Sequence, residues 1–109
     1  MIARIWRGWT ARTDANAYTE YLLKTGIPDY RGTPGNQGAW ILRRDVADRT
    51  EFATLSFWDS TESIAAFAGD DLERAVFYPE DDRFLVERET RVVHYDVVGS
   101  DTVGDGTDQ

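Results

Sequence analysis

Apolar and polar positions alternate along four stretches of this chain and recur at helical spacing along two others. The run IARIWRGWT (2–10) is rich in β-branched and aromatic residues and predicts a strand. In RTDANAYTEYLLKTG, Thr13 and Asp14 stand at a helix start. Tyr18, Tyr21, Leu22 and Thr25 follow at i, i+3, i+4 and i+7, and Gly26 suits the position just past the helix end. The segment GIPDYRGTPGNQG (26–38) is punctuated by glycine and proline and predicts a long irregular loop of the kind that borders binding sites. AWILRRDV (39–46) and TEFATLSFW (50–58) predict two strands joined by a tight ADR turn, an antiparallel hairpin.

In DSTESIAAFAG, Asp59 with Glu62 fits a capping box. Ile64, Phe67 and Ala68 begin an apolar stripe that runs on through Leu72 and Ala75. Gly69 interrupts the stripe and Asp70 with Glu73 repeats the capping pattern, so the helix is expected to break and restart before Pro79 ends it. PEDDRFLVE reads as a connector with one helical turn, TRVVHYDVV (90–98) as the last strand, and GSDTVGDGTDQ (99–109) as a disordered acidic tail. The domain is thus expected over residues 1–98. The order is β-α-β-β-α-β: an α+β, ferredoxin-like unit with two helices over one face of a four-stranded antiparallel sheet.

Strand parity adds a constraint, because alternate side chains point to opposite faces. Ile2 and Trp6 share one face of the first strand, Ile5 and Trp9 the other. Ile41 opposes Trp40 and Leu42; Phe52 and Trp58 oppose Leu55 and Phe57; Val92 opposes Val93, Tyr95 and Val97. A sheet that is apolar on both faces needs cover on both. The helices supply one cover, and a second copy related by a two-fold axis is the simplest source of the other.

At 109 residues and 41% hydrophobic the chain fits one domain with a core. A net charge of −8 excludes nucleic acid and anionic membrane as natural partners unless arginines cluster. The absence of cysteine removes disulfides, thiolate metal sites and cysteine nucleophiles. No apolar run is long enough to span a bilayer and no signal-peptide pattern is present, which leads to the expectation of a cytoplasmic protein. No P-loop, dinucleotide fingerprint, G-x-S-x-G or H-E-x-x-H occurs.

The candidate chemistry is sparse. His94 is the chain's one histidine, with a side chain suited to proton transfer near neutrality; the competing role is a histidine satisfied by a neighbouring strand or carboxylate. Without a second histidine or a cysteine it predicts no metal site. Arg4 and Arg7 fall on opposite faces of the first strand, and an arginine on a covered face needs an anion, either a carboxylate or a substrate. Trp6, Trp9, Trp40 and Trp58 suit either core and interface packing or contact with a planar ligand. Tyr78, Glu80 and Asp81 bring a phenol and two carboxylates toward the last strand, where they serve a proton relay with His94 or merely solvate a turn.

Three stretches, MIARIWRGWT, FATLSFWDSTESIAAFAGDD and YPEDDRFLVERETRVVHYDVV, resemble the antibiotic biosynthesis monooxygenase-like family over residues 1–98. The resemblance implies a dimeric α/β barrel built from ferredoxin-like protomers. It also implies a small-molecule enzyme of the cofactor-free oxygenase type, acting on an aromatic or polyketide-like substrate. In that picture Trp58, which matches the Trp-Asp-Ser start of the second helix, contacts the substrate rings together with Trp6. Arg7 stabilises an oxyanion, His94 moves the proton and Tyr78 orients it. The asparagine that such oxygenases carry on the following helix has no match here. The alternative is a non-catalytic dimer that holds a hydrophobic ligand or haem. Haem-degrading relatives need an asparagine on the first strand and a tryptophan and a histidine on the second helix, where this chain has Arg7, Phe67 and Phe77. No cofactor is therefore expected.

Overall fold

A computed structural model describes residues 1–101, with β1 (Ile2–Ala11) at the centre of its connectivity. This strand pairs antiparallel with β3 (Arg49–Trp58) over its full length, from Ile2 opposite Trp58 to Ala11 opposite Arg49. β2 (Asn36–Val46) joins β3 in the predicted hairpin, closed by Ala47 and Asp48. Ala47 has φ of 56°, the left-handed conformation favoured in two-residue hairpin turns.

The far edge of β1 is filled by two short strands rather than one. β4 (Leu85–Arg88) pairs with the Gly8–Thr10 end and β5 (Val93–Asp96) with the Ile2–Ile5 end, giving a five-stranded sheet where four strands were expected. The interruption has a cause in hydrogen bonding. The Glu89 amide donates to the Arg7 carbonyl, and the Glu89 carbonyl accepts from the Trp6 indole. Thr90 and Val92 then bond to Ala75 and Glu73 instead of β1.

The helices lie on one face. After a 3-10 turn at Arg12–Asp14, α1 (Ala15–Lys24) buries Ala15, Tyr18 and Leu22 against Phe52, Phe84 and Leu85. The segment expected to be a loop contains α2 (Gly26–Gly32), so Gly26 opens a helix instead of closing one. Pro28 sits in its first turn, where the missing N–H has no partner to lose. Tyr30 anchors α2 by packing on Trp58 and Phe67.

α3 (Thr61–Ala68) is capped by Ser60, whose Oγ accepts from the Ser63 amide, and it ends at Gly69 with φ of 93°. The helix does not restart. Residues 70–80 form an irregular strap, followed by the expected single turn, α4 (Asp81–Phe84). Helical bonding along the strap is lost because its backbone groups are bonded across the molecule: Leu72 and Arg74 carbonyls to Arg4, Glu73 and Ala75 to Val92 and Thr90.

Parity holds as expected. Arg4, Phe52 and Trp58 are buried beneath the helices, while Trp40, Leu42, Val93 and Tyr95 are exposed on the opposite face. Residues 102–109 of the expected tail lie outside the described residues. No helix among the described residues is long and apolar enough to cross a membrane.

Candidate functional site

Between the helices and the sheet lies a cavity of about 30 Å³. Trp6, Leu22, Phe67 and Val76 contribute to its apolar wall, and its polar groups are Arg4, Asp81 and the hydroxyls of Tyr18, Tyr30, Thr54 and Tyr78. That volume holds two or three water molecules at most, which need roughly 10–15 Å³ each. A small-molecule site of about 300 Å³ or more requires a wall to move.

Trp6 is placed by Gly8, its neighbour two residues on and on the same face. A β-carbon at Gly8 would come within 2.5 Å of the indole Cη2 and 3.0 Å of Leu85. The glycine therefore lets the ring lie flat, with its N–H donated to the Glu89 carbonyl at 2.7 Å. Phe77 meets the indole edge-on at 6.2 Å.

Arg4 is 3% exposed, and no carboxylate among the described residues pairs with it. Its guanidinium donates to the carbonyls of Leu72 at 2.5 Å and Arg74 at 2.8 Å, and Nη1 lies 3.0 Å from His94 Nε2. These bonds use Nη1 and Nη2 alone. Phe67 faces the guanidinium at 5.7 Å. Burial lowers the Arg4 pKa, though an arginine stays charged at neutral pH. Because arginine has no acceptor, His94 Nε2 must accept, which makes the ring neutral with its proton on Nδ1. Burial and then the Arg4 charge push the His94 pKa down, against a smaller upward pull from Glu73.

The opposite wall is organised by Asp81, the first residue of α4 and also 3% exposed. Its Oδ1 accepts from the Tyr18 hydroxyl at 2.9 Å and its Oδ2 from the Tyr78 amide at 2.7 Å. Burial raises the Asp81 pKa, outweighing those two bonds and the Arg88 charge, which lower it. Burial and then Asp81 push the Tyr18 phenol far up, and burial and then Asp29 do the same for Tyr78, whose hydroxyl donates to Asp29 at 2.7 Å. Both phenols are donors at neutral pH.

Of the residues singled out from the sequence, Arg4, Trp6, Tyr78 and Asp81 line this cavity. His94 touches the site through Arg4 while lining a separate open groove with Ile2, Ile64 and Leu72. Trp58 is wholly buried behind Phe67, 5.3 Å between ring centroids, with its indole N–H donated to Ser56. Arg7 lies on the other face of the sheet, paired with Glu89 at 2.7 Å. Glu80 is at the surface, paired with Arg83. Tyr18 carries no functional expectation from the sequence, and of the two arginines on β1 it is Arg4, not Arg7, that lines the cavity. Parity places Arg4 on the face of Ile2, Trp6 and Gly8 and Arg7 on the other, without marking which of the two faces the helices cover.

Neither a family model nor a curated protein matches the chain. Solved structures share its fold. One is a Bacillus cereus protein assigned as an antibiotic biosynthesis monooxygenase, 14% identical, covering 93% of this chain and 96% of its own, with a TM-score of 0.63. A second is Rv0793 from Mycobacterium tuberculosis, 18% identical, covering 93% and 98%, with a TM-score of 0.59. A third is an MhuD arginine-to-serine variant with two manganese protoporphyrin IX molecules bound per active site, 19% identical, covering 94% and 99%, with a TM-score of 0.55. The chain thus shares its ferredoxin-like architecture with these three structures.

Proposed function

We propose that this chain is a small-molecule enzyme of the cofactor-free monooxygenase type, working as a homodimer on an aromatic or polyketide-like substrate. The observation that carries the reading is the cavity itself, which sets a buried guanidinium without a carboxylate and a buried carboxyl of raised pKa among aromatic walls. The reaction is R₂CH₂ + O₂ → R₂C=O + H₂O, with the substrate as the source of electrons. The side chains then have two tasks, to take a proton and to hold the resulting anion. Arg4 holds the anion. Asp81 takes the proton, oriented by Tyr18 and the Tyr78 amide. Trp6 and Phe67 flank the rings. His94 positions Arg4 by accepting its Nη1 proton. Trp58 backs the aromatic wall, and Arg7 secures the edge of β1 through Glu89.

Oxygen uptake with a panel of tricyclic phenols and their keto tautomers, each with and without a ring carboxylate, tests this. Arg4→Met is expected to lower kcat/KM by roughly 10²-fold or more, in line with loss of an oxyanion donor. Uptake unchanged in this variant, or absent across the panel, removes the reading.

The likeness to the porphyrin-bound structure favours a second reading, a haem-binding dimer. His94 as arranged does not fit an iron ligand, since Nε2 is bonded to Arg4. A saturable Soret shift on haem titration of the native protein would establish this second reading.

A further inference from the structure

The cavity cannot admit a ring system unless one wall gives way, and the walls are unequal. β1 and β3 are locked in the sheet, and α1 is packed on Phe52 and Phe84. The strap of residues 70–80 carries Val76 and Tyr78 of the wall, yet it belongs to neither helix nor strand. It begins at Gly69, whose φ of 93° and open surroundings suit a hinge, and it turns at Pro79 into α4. Among the described residues its backbone meets the sheet edge at one isolated bridge, Arg74 opposite Arg91, made by the Glu73–Val92 and Ala75–Thr90 bonds, while its far end is held by Tyr78 to Asp29 and Asp81 and by Glu80 to Tyr21. The exposed pairs of Arg91 with Asp71 and Glu73 add little in water.

The buried tie is Arg4. Its guanidinium spends two of its bonds on the carbonyls of Leu72 and Arg74, both in the strap. A buried cation held by neutral carbonyls is poorly compensated, and an oxyanion is a stronger acceptor for the same N–H groups. The planar fork suits a carboxylate or an acidic enol with an adjacent oxygen.

We infer that Arg4 is both the latch of this strap and the receptor for a planar organic anion, which enters by replacing the two strap carbonyls on the guanidinium. The inference rests on the proposed small-molecule function for where the ligand sits, and adds its charge and the way it gains access. Neutral ring compounds lack the group that competes with the carbonyls, so they leave the strap docked.

Two probes of like shape test this in the native protein: 3-hydroxy-2-naphthoate, an anion at neutral pH, and the uncharged methyl 3-methoxy-2-naphthoate. Calorimetry is expected to show binding of the anion at least tenfold tighter than of the neutral compound. Hydrogen exchange read in the same samples is expected to speed up at least tenfold at the Ala75 and Val92 amides, which bond the strap residues Ala75 and Glu73 to Thr90 and Val92, with β3 amides unchanged. Arg4→Lys, which keeps the charge without the fork, is expected to bind the anion at least tenfold more weakly. Equal binding of the two probes, no binding of the anion at millimolar concentration, or anion binding with exchange at Ala75 unchanged or slowed overturns the inference; measurements on the native protein alone decide between these outcomes if the variant does not fold. Strap release without oxygen uptake on any substrate would instead count against the monooxygenase reading and leave the latch standing. Turnover of a neutral substrate over a docked strap would do the reverse.

Discussion

Arg4 and His94 share one proton economy. The imidazole can accept from Nη1 only while neutral, and protonating it would set two cations 3.0 Å apart. The groups facing the ring are Arg4 from β1 and Glu73 from the strap, and the net effect with burial is a pKa below the usual 6.5. The folded chain therefore binds this proton less readily than the unfolded chain. The stability that follows is complete above the unfolded pKa and declines as pH falls from there through the lowered folded value. Urea midpoints recorded from about pH 7 to about pH 5 are expected to fall for the native protein more steeply than for His94→Gln, whose amide accepts without titrating. Equal slopes would remove His94 from this role. Which arginine the helices cover could not be settled from composition: Arg4 and Arg7 differ by three positions on one strand, so parity separates them, but the sequence does not mark which side receives the helices.

Among the elements, β1 is the most tightly specified. Gly8→Ala would drive a methyl group into the Trp6 indole and Leu85, and overpacking of this kind costs about 1–3 kcal/mol. Chemical denaturation is expected to show that loss, together with a shift of Trp emission as the indole leaves the cavity wall. The four strand-forming runs are legible because alternation is a local property, and the hairpin turn expected at Ala47–Arg49 closes on Ala47 and Asp48, since Arg49 pairs with Val46. α2 was not legible, because Gly26, Pro28 and Gly32 read as breakers although a proline in a first turn sacrifices nothing. The strap misled in the other direction. Leu72 and Ala75 keep helical spacing, but its carbonyls are claimed by a guanidinium 68 and 70 residues away in sequence, a competition invisible in any local window. The cavity was legible to the same limited extent: Trp6, Tyr78 and Asp81 were marked as candidates, whereas the Tyr18–Asp81 bond depends on how α1 meets α4.

For the whole molecule, the decisive quantity is the apolar surface left open on the sheet. Trp40 is 50% and Tyr95 57% exposed, with Leu42 and Val93 beside them, and all the helices lie on the other face. Covering this patch with a second copy predicts sedimentation at twice 12.4 kDa at micromolar concentration. Trp40→Asp with Leu42→Asp is expected to give a folded monomer, since neither side chain belongs to the core. A native chain that sediments as a monomer would refute the homodimer and leave the open face to some other cover.

The order of pairing around β1 also bears on how the chain acquires its structure during translation. Ile2 pairs with both Trp58 and Asp96, and Gly8 with both Phe52 and Arg88. The first strand of this domain to leave the ribosome is thus flanked on both sides only when the last ones arrive, and Arg4 waits for His94 until nearly the whole domain has been made. Such long loop closures slow folding and expose an unfinished edge meanwhile, so the nascent chain is most vulnerable to misassociation just before residues 85–96 emerge.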